Sequence, residues 1–282
     1  MSDVAREVVA VVVDYYADEA LVGCVASLRA NGVEEIVVVE NGDLGSTPEA
    51  ALGNVTLVRP GLNLGYGAGV NRGAAFASER TYLLVSNPDV VVHEGALANL
   101  VDFLSSHEDY ALVGPRIVRP DASVYPSHRV FPNVWLAGAH ALLAPWWANN
   151  PATRRYRAPH ADGSVDWVSG ACFLVRRSAF EAIGGFDERY FMFAEDMALC
   201  WNLAQRGWRV GASDEAVVTH VEGVSRARAT RAMLIAHHRS AVRFEWQSAS
   251  GPRRLLAPLA SLVLGLRLVV SLATLKLSSR AS

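Results

Sequence analysis

Short β-branched apolar runs alternate with helical spacing over about 90 residues at the start of the chain, and few folds accept that pattern. Val8–Val13 is a continuous apolar run, as expected of a strand covered on both faces. Ala20–Ala30 has helical spacing through Leu21, Cys24, Val25 and Leu28, and Asn31-Gly32 ends it. Ile36–Val39 is a second buried strand, closed by Asn41-Gly42, and Val55–Val58 is a third, followed by Arg59-Pro60-Gly61. Gly73–Ser78 reads as part of a helix, and Tyr82–Val85 is a fourth strand ending at Ser86-Asn87-Pro88-Asp89. The pattern predicts an α/β fold with a mostly parallel central sheet flanked by helices, whose ligands sit at the C-terminal ends of the strands. The polar clusters fall at those ends: Asp14-Tyr15, Glu40-Asn41, Asn63 to Asn71, and Asp89.

Further along, Gly95–Leu104 is a predicted helix and Ala111–Val113 a strand. Pro120 to Pro159 differs in character, with Pro126, Pro132, Pro145, Pro151 and Pro159, the pair Trp146-Trp147, and basic Arg129, Arg154, Arg155 and Arg157. Val165–Arg176 returns to strand character, Thr230–Trp246 is helical, and Arg253 to Lys276 is a final apolar stretch. A formal net charge of −2 argues against a nucleic-acid binder driven by phosphate neutralisation. Three widely spaced cysteines, Cys24, Cys172 and Cys200, without a CxxC pair, favour reduced thiols in a cytoplasmic protein. The opening MSDVAREVVAVVVDYY reads as a first core strand, not an export signal.

Gly184–Trp208 carries the most pointed chemistry. Gly184-Gly185 break the chain, and the aromatics Phe186, Tyr190, Phe191 and Phe193 follow. Glu195-Asp196 then open a helix with Met197, Trp201 and Ala204 on one stripe, Leu199 and Leu203 beside it, and Gly207 to end it. A helix N-terminus favours an ionised carboxylate, and aromatics exclude competing water, so such an acid can accept a proton from a bound hydroxyl. Capping by acids is the competing explanation.

Asn63-Leu-Gly-Tyr-Gly-Ala-Gly-Val-Asn71-Arg-Gly73 has no GxGxxG register and follows the third strand, so it is not a dinucleotide fingerprint. It reads as a glycine-rich loop able to approach a diphosphate, or as an ordinary turn. Asp89, projecting past a strand end after Pro88, suits a hard cation shared with substrate phosphates, or a structural turn. His220, past Val217-Val218, suits a metal site or a satisfied core position. His237-His238 reads as surface.

Together these residues resemble the family-2 inverting glycosyltransferases of the GT-A fold. The resemblance runs from Val8 to Ser225 through strand-Asp14-Tyr15, strand-Glu40-Asn41-Gly42, NLGYGAGVNRG, SNPDV, VDWVSGACFLVRR, GGFDERYFMFAED and HVEGVS. Within that family, RPDASVYPSHRVFP, APWWANNPATRRYR and GGFDERYFM look like the bacterial enzymes that move L-rhamnose from dTDP-rhamnose onto polyprenyl-diphosphate-linked N-acetylglucosamine. The resemblance implies a GT-A catalytic domain over 1–228, with a nucleotide-sugar half at 1–115 and an acceptor half at 116–228. A helical extension follows at 229–282. It assigns the nucleotide sugar to Tyr15, Glu40, Asn41, Asn63, Gly65, Asn71 and Asn87. Trp167, Ser169, Gly170 and Glu195 fall to the acceptor, Asp89 and His220 to Mg2+ or Mn2+, and the general-base role to Asp196.

Three positions depart from the family pattern. Glu40 stands where Asp is usual, Asp14 where a small residue is usual, and Met197-Ala198-Leu199 where x-Asp-Leu is usual.

The partners so implied are a nucleotide-diphosphate sugar, a lipid-linked glycan and the inner face of the plasma membrane, with a homodimer as a compatible assembly and no nucleic acid. Leu255–Leu266 is too short to span a bilayer and Arg267 interrupts the apolar stretch, so a helix lying at the interface is expected, a helix packed on the domain being the alternative. The rival activities are transfer of another sugar such as a UDP-hexose or galactofuranose, a sugar nucleotidyltransferase, and a non-catalytic sugar-nucleotide-binding protein. Asp14-Tyr15-Tyr16 lacks the basic glycine-rich loop that the nucleotidyltransferase would want.

Overall fold

The computed structural model describes residues 4–42, 49–131, 147, 150–157, 159–221 and 231–281. After a 3-10 turn, the first half runs β1 (Val8–Asp14), α1 (Glu19–Ala30), β2 (Glu35–Glu40), α2 (Glu49–Leu52), β3 (Thr56–Val58), α3 (Tyr66–Ala74) and β4 (Tyr82–Ser86). Then come β5 (Val90–Val92), α4 (Ala96–Ser106), β6 (Tyr110–Val118), β7 (Val124–Tyr125), β8 (His128–Arg129) and α5 (Pro151–Arg157). The remainder is β9 (Trp167–Val168), β10 (Cys172–Arg176), α6 (Arg177–Ala182), α7 (Glu195–Gln205), β11 (Arg209–His220), α8 (Arg231–Ser248) and α9 (Ala257–Ala281).

The main sheet has the order β3-β2-β1-β4-β10-β6-β11-β5, with β7 added on β6. β3, β2, β1 and β4 are mutually parallel, as the alternating pattern requires. β10 enters antiparallel between β4 and β6, and β11 runs parallel to β6. The sheet is thus mostly parallel in direction, with β5, β7 and β10 reversed. Along β1, Val8, Ala10 and Val12 join the core on one face and Val9, Val11 and Val13 the core on the other. Burial on both faces is what an unbroken apolar strand demands.

The segment expected to be a glycine-rich loop is mostly helix, α3. Its glycines serve contact, not flexibility. A Cβ on Gly73 would lie 2.5 Å from Val11 Cγ1 and 2.9 Å from Val39 Cγ2, so α3 can lie on β1 and β2 only without side chains there. Replacing Gly73 by alanine improves helix propensity by about 1 kcal/mol, but overpacking against two stiff valines costs about 1–3 kcal/mol. Net destabilisation is the expected result, read by denaturant unfolding.

Reversing β10 has a consequence for function. Because Cys172 pairs with Ser86, the turn Ser169-Gly170-Ala171 that precedes β10 arrives at the C-terminal end of β4. The Asn87 N–H donates to the Ala171 carbonyl at 2.8 Å and fixes that meeting. At the far edge β5 pairs with β11 in a register that sets His220 opposite Val90, next to Asp89. Three remote segments therefore end at one place.

Candidate active site

A cleft of about 550 Å³ opens at these strand ends. Of the residues expected at the site, Tyr15, Asn41, Asn63, Asn87, Asp89, Trp167, Ser169, Gly170, Glu195, Asp196 and His220 all line it. Glu40, Gly65 and Asn71 do not. Glu40 is buried and held by the Arg59 guanidinium at 2.6 Å, one layer behind Asn41. Asn71 donates to the Phe186 carbonyl at 2.9 Å and accepts from the Phe186 N–H at 2.9 Å, so both ends of its amide clasp the GGFDERY segment. Gly65 is a backbone device: its φ is +86°, and a Cβ there would sit 2.2 Å from the Phe191 carbonyl oxygen.

Asn41 builds the near wall. Its side chain donates to the Gly65 carbonyl at 3.0 Å and accepts from the Leu64 N–H at 2.9 Å, fixing the turn that leads into α3. Asp14, the unusual extra acid, is buried and accepts from the Ala17 N–H at 3.0 Å. Burial pushes it up to about 6, Ala17 opposes the shift, and Glu40, its register partner on β2, adds to it. Asp14 therefore caps the turn into α1.

The edge of the cleft that carries Glu195 and Asp196 is built by α7. Phe193 and Ala194, with φ of +65° and +60°, are consecutive non-glycine residues in the left-handed region immediately before it. Such residues cost about 1–3 kcal/mol each and persist only where packing over-determines them. Here Ala194 is buried with Tyr190, Ala198 and Phe244. The departure at Ala198 has its reason in this cluster: the side chain is fully buried among apolar groups, where an acid would have no partner. The buried stripe of α7 is Ala198, Leu199, Cys200 and Leu203; Met197 and Trp201 are half-buried and Ala204 is exposed, because α8 covers the flank that the expected stripe assigned to the main core.

Asp196 points at the turn before β10. Its Oδ2 accepts from the Gly170 N–H at 2.9 Å and its Oδ1 from the Met197 N–H at 2.8 Å. Burial raises its pKa, and these donors and then Arg129 oppose the rise. Glu195 is also buried, its Oε2 has no partner among the described residues, and it lines the same cleft. Burial first, and then the Asp196 carboxylate, push Glu195 up to about 8. Burial and the neighbouring charge thus favour the protonated form of Glu195, beside an Asp196 carboxylate whose ionised form the Gly170 and Met197 N–H groups stabilise.

A raised acid pKa means that the folded state holds the proton more tightly than the unfolded chain, so this contribution to stability is full below about 4.5 and fades as pH rises towards 8. Glu195→Gln removes that loss. The variant is expected to melt with wild type near pH 4.5 and a few degrees above it near pH 8, in thermal unfolding at both.

In the same cleft, the His220 Nε2 lies 3.1 Å from Asp89 Oδ1, and the buried His220 Nδ1 has no partner among the described residues. No group of three His, Cys, Asp or Glu side chains converges among the described residues. A carboxylate and an imidazole alone fit a hard divalent cation that takes its remaining oxygens from a diphosphate and water.

The sequence pointed to Phe193, which is in the cleft wall, but not to Tyr66, whose hydroxyl donates to the Gly170 carbonyl at 2.5 Å, or to Met192, Met233 and His237 beside it. Both His237 and His238 were expected at the surface: His237 is exposed there while bordering the cleft, whereas His238 is buried. Arg129 lines the cleft with its guanidinium over the Trp167 ring at 5.2 Å, whereas Arg154 and Arg155 stand exposed on α5 outside it. Trp146, the Arg157 side chain and the residues 222–230 of the HVEGVS region lie outside the described residues, and Trp147 is exposed. The three cysteines are buried and unpaired.

A family model described as "Glycosyltransferase like family 2" matches residues 5–240. The chain is 39% identical over 241 residues to the N-acetylglucosaminyl-diphospho-decaprenol L-rhamnosyltransferase of Mycobacterium tuberculosis, covering 80% of this chain and 78% of that one. It is 28% identical to the rhamnosyltransferase WbbL of Escherichia coli over 52% of this chain and 56% of that one. Among solved structures, GalNAc-T7 with UDP, GalNAc and Mn2+ superposes with a TM-score of 0.56 at 15% identity, over 76% of this chain and 43% of that chain, a likeness of fold. The chain has the GT-A-like fold and belongs to the family-2-like glycosyltransferases.

Proposed function

We propose that this glycosyltransferase moves L-rhamnose from dTDP-L-rhamnose onto a polyprenyl-diphosphate-linked N-acetylglucosamine, with inversion, during assembly of a cell-envelope polysaccharide. The observation that carries the reading is the convergence of Asp89 and Asp196 on one cleft, with the buried Glu195 and Arg129 beside them. The name of the mycobacterial relative supplies the sugar and the acceptor class.

In this reading the nucleotide lies along Tyr15, Asn41, Asn63 and Asn87, with Glu40 setting the pocket from behind. The acceptor sugar rests on Trp167, Ser169 and Gly170. Asp196 takes the proton of the attacking hydroxyl, and Glu195 donates a hydrogen bond to the same sugar. Arg129 holds acceptor phosphate. Asp89 and His220 would hold Mg2+ or Mn2+, which when bound offsets the charge that grows on the leaving diphosphate.

The domain assignment follows: catalysis in 1–228, and 229–282 as an extension that touches the inner face of the plasma membrane. α9 supports that contact, being exposed and apolar on most sides, with Val269 at 64% and Val270 at 62% exposure. Arg267 interrupts the apolar run but not the helix, since α9 is continuous from Ala257 to Ala281. A guanidinium near the middle of a spanning helix costs at least about 2.5–3.5 kcal/mol, which favours a helix lying in the interface.

The test is a donor screen against a lipid-linked N-acetylglucosamine acceptor, read by mass spectrometry. Addition of a deoxyhexose from dTDP-rhamnose is expected. Efficient transfer from a UDP-hexose or UDP-galactofuranose, with none from dTDP-rhamnose, would sink the donor assignment.

A further inference from the structure

α8 has two working faces. Met233 and His237 look into the active-site cleft. Arg239, Val242, Arg243 and Trp246, at i, i+3, i+4 and i+7, look instead into a second groove of about 740 Å³, closed by Leu264, Gly265 and Leu268 of α9. One helix thus separates the catalytic cleft from a groove that no part of the transfer reaction uses.

The groove is cationic at one wall and apolar at the other. Arg189 also lines it, but its charge is taken by Asp187 at 2.6 Å. Arg239 and Arg243 are exposed, and neither has an ion-pair partner among the described residues; Arg243 rests over the Tyr190 ring at 5.7 Å. The acid closest in sequence on α8, Glu245, is buried and paired with Arg253 at 2.9 Å. Trp246 is half-exposed and anchors α9 by donating its indole N–H to Ser261 Oγ at 3.0 Å. From Leu264 and Leu268 the surface continues without a charge other than Arg267 onto exposed Leu259, Leu262, Val263, Leu266, Val269 and Val270.

We propose that the α8–α9 groove is a binding site for the phosphate headgroup of an anionic membrane phospholipid. Arg239 and Arg243 contact the phosphate, Trp246 sits at the level of the interface, and the acyl chains run along Leu264, Leu268 and the open side of α9. The proposal rests on the membrane contact proposed above and adds to it a located, charge-selective site. A soluble acidic peptide would satisfy the arginines and leave the apolar side of α9 in water. A second copy of α9 would cover that side and leave two uncompensated guanidiniums. A lipid satisfies both, since its charge and its hydrocarbon follow the same order as the two walls. Seated there, the bilayer lies against the helix whose other face bounds the catalytic cleft, the direction from which a lipid-linked acceptor must come.

The test uses the full chain in flotation with phosphatidylcholine vesicles, with and without phosphatidylglycerol. Wild type is expected to prefer the anionic vesicles. Arg239→Gln/Arg243→Gln is expected to lose roughly ten- to thirty-fold of the affinity for anionic vesicles, to keep its binding to neutral ones, and to turn over a short-chain, water-soluble acceptor normally. Gly265→Phe, built at a position with open space around its Cβ, fills the groove without changing charge and is expected to abolish the same preference. Retention of the preference by both variants overturns the site. Wild type that binds neutral and anionic vesicles alike overturns the site and leaves the membrane contact standing. Wild type that binds neither, and sediments as a dimer, overturns both in favour of a second copy on α9.

Discussion

Asp196→Asn is expected to lower sugar transfer by about 10²–10⁴-fold while leaving nucleotide-sugar binding close to wild type. The separation follows from position. Asp196 belongs to the wall made by α7 and the Gly170 turn, whereas the wall proposed for the nucleotide is made by Tyr15, Asn41 and Asn63. Asparagine keeps the size and one oxygen acceptor, but it cannot accept a proton from a sugar hydroxyl. It also turns an amide N–H towards one of two backbone donors, at Gly170 or Met197, so part of the loss is displacement of the side chain.

The same geometry fixes the pH response. Burial holds Asp196 above an ordinary carboxylate, and only its ionised form is a base. The rate therefore falls as pH drops through this raised value, at a higher pH than a solvent-exposed aspartate would give. Single-turnover transfer across pH, beside calorimetry of donor binding, checks both statements. Near-normal turnover by the variant would remove Asp196 from the role.

Much of the fold was legible because its strands obey local rules. Val8–Val13 and Ile36–Val39 are apolar at every position, which only a strand covered twice can use, and both are buried through their length. Glu195-Asp196 announced a helix start, and α7 begins there. What stayed illegible depends on contacts remote in sequence. The glycines at 67, 69 and 73 look like loop residues until α3 is seen lying on Phe186, Val13 and Val11. His238 looks like surface because nothing nearby in sequence says that α8 folds back on the aromatic segment, where the adjacent His237 meets the Phe193 ring edge-on at 5.2 Å while His238 is buried. Asn71 carries the right residue type for a sugar contact, yet its amide is consumed by the Phe186 backbone 115 positions away.

Asp89→Ala is expected to abolish the dependence of donor binding on Mn2+ and to weaken that binding in the presence of the metal by about a hundredfold, the order of effect for losing a metal that offsets phosphate charge. The position explains why a small change acts so strongly. Asp89 is held from three sides: Asn87 is tied to Ala171, the Asp89 carbonyl accepts from the Val221 N–H at 3.0 Å, and the carboxylate meets His220 at 3.1 Å. Its carboxylate is therefore set in place before any ligand arrives, and no other acid among the described residues stands within the Asp89–His220 site to substitute for it. Alanine at this position also leaves the buried His220 ring without its acceptor, a loss that is structural and independent of metal. The comparison with His220→Asn separates the two. If Asp89 supplies the principal ligand, calorimetric titration of the donor with Mn2+ will show complete loss of metal dependence for Asp89→Ala and partial loss for His220→Asn. Equal donor affinity with and without Mn2+ in wild type would instead place the charge of the leaving diphosphate on Arg129 and the strand-end backbone alone.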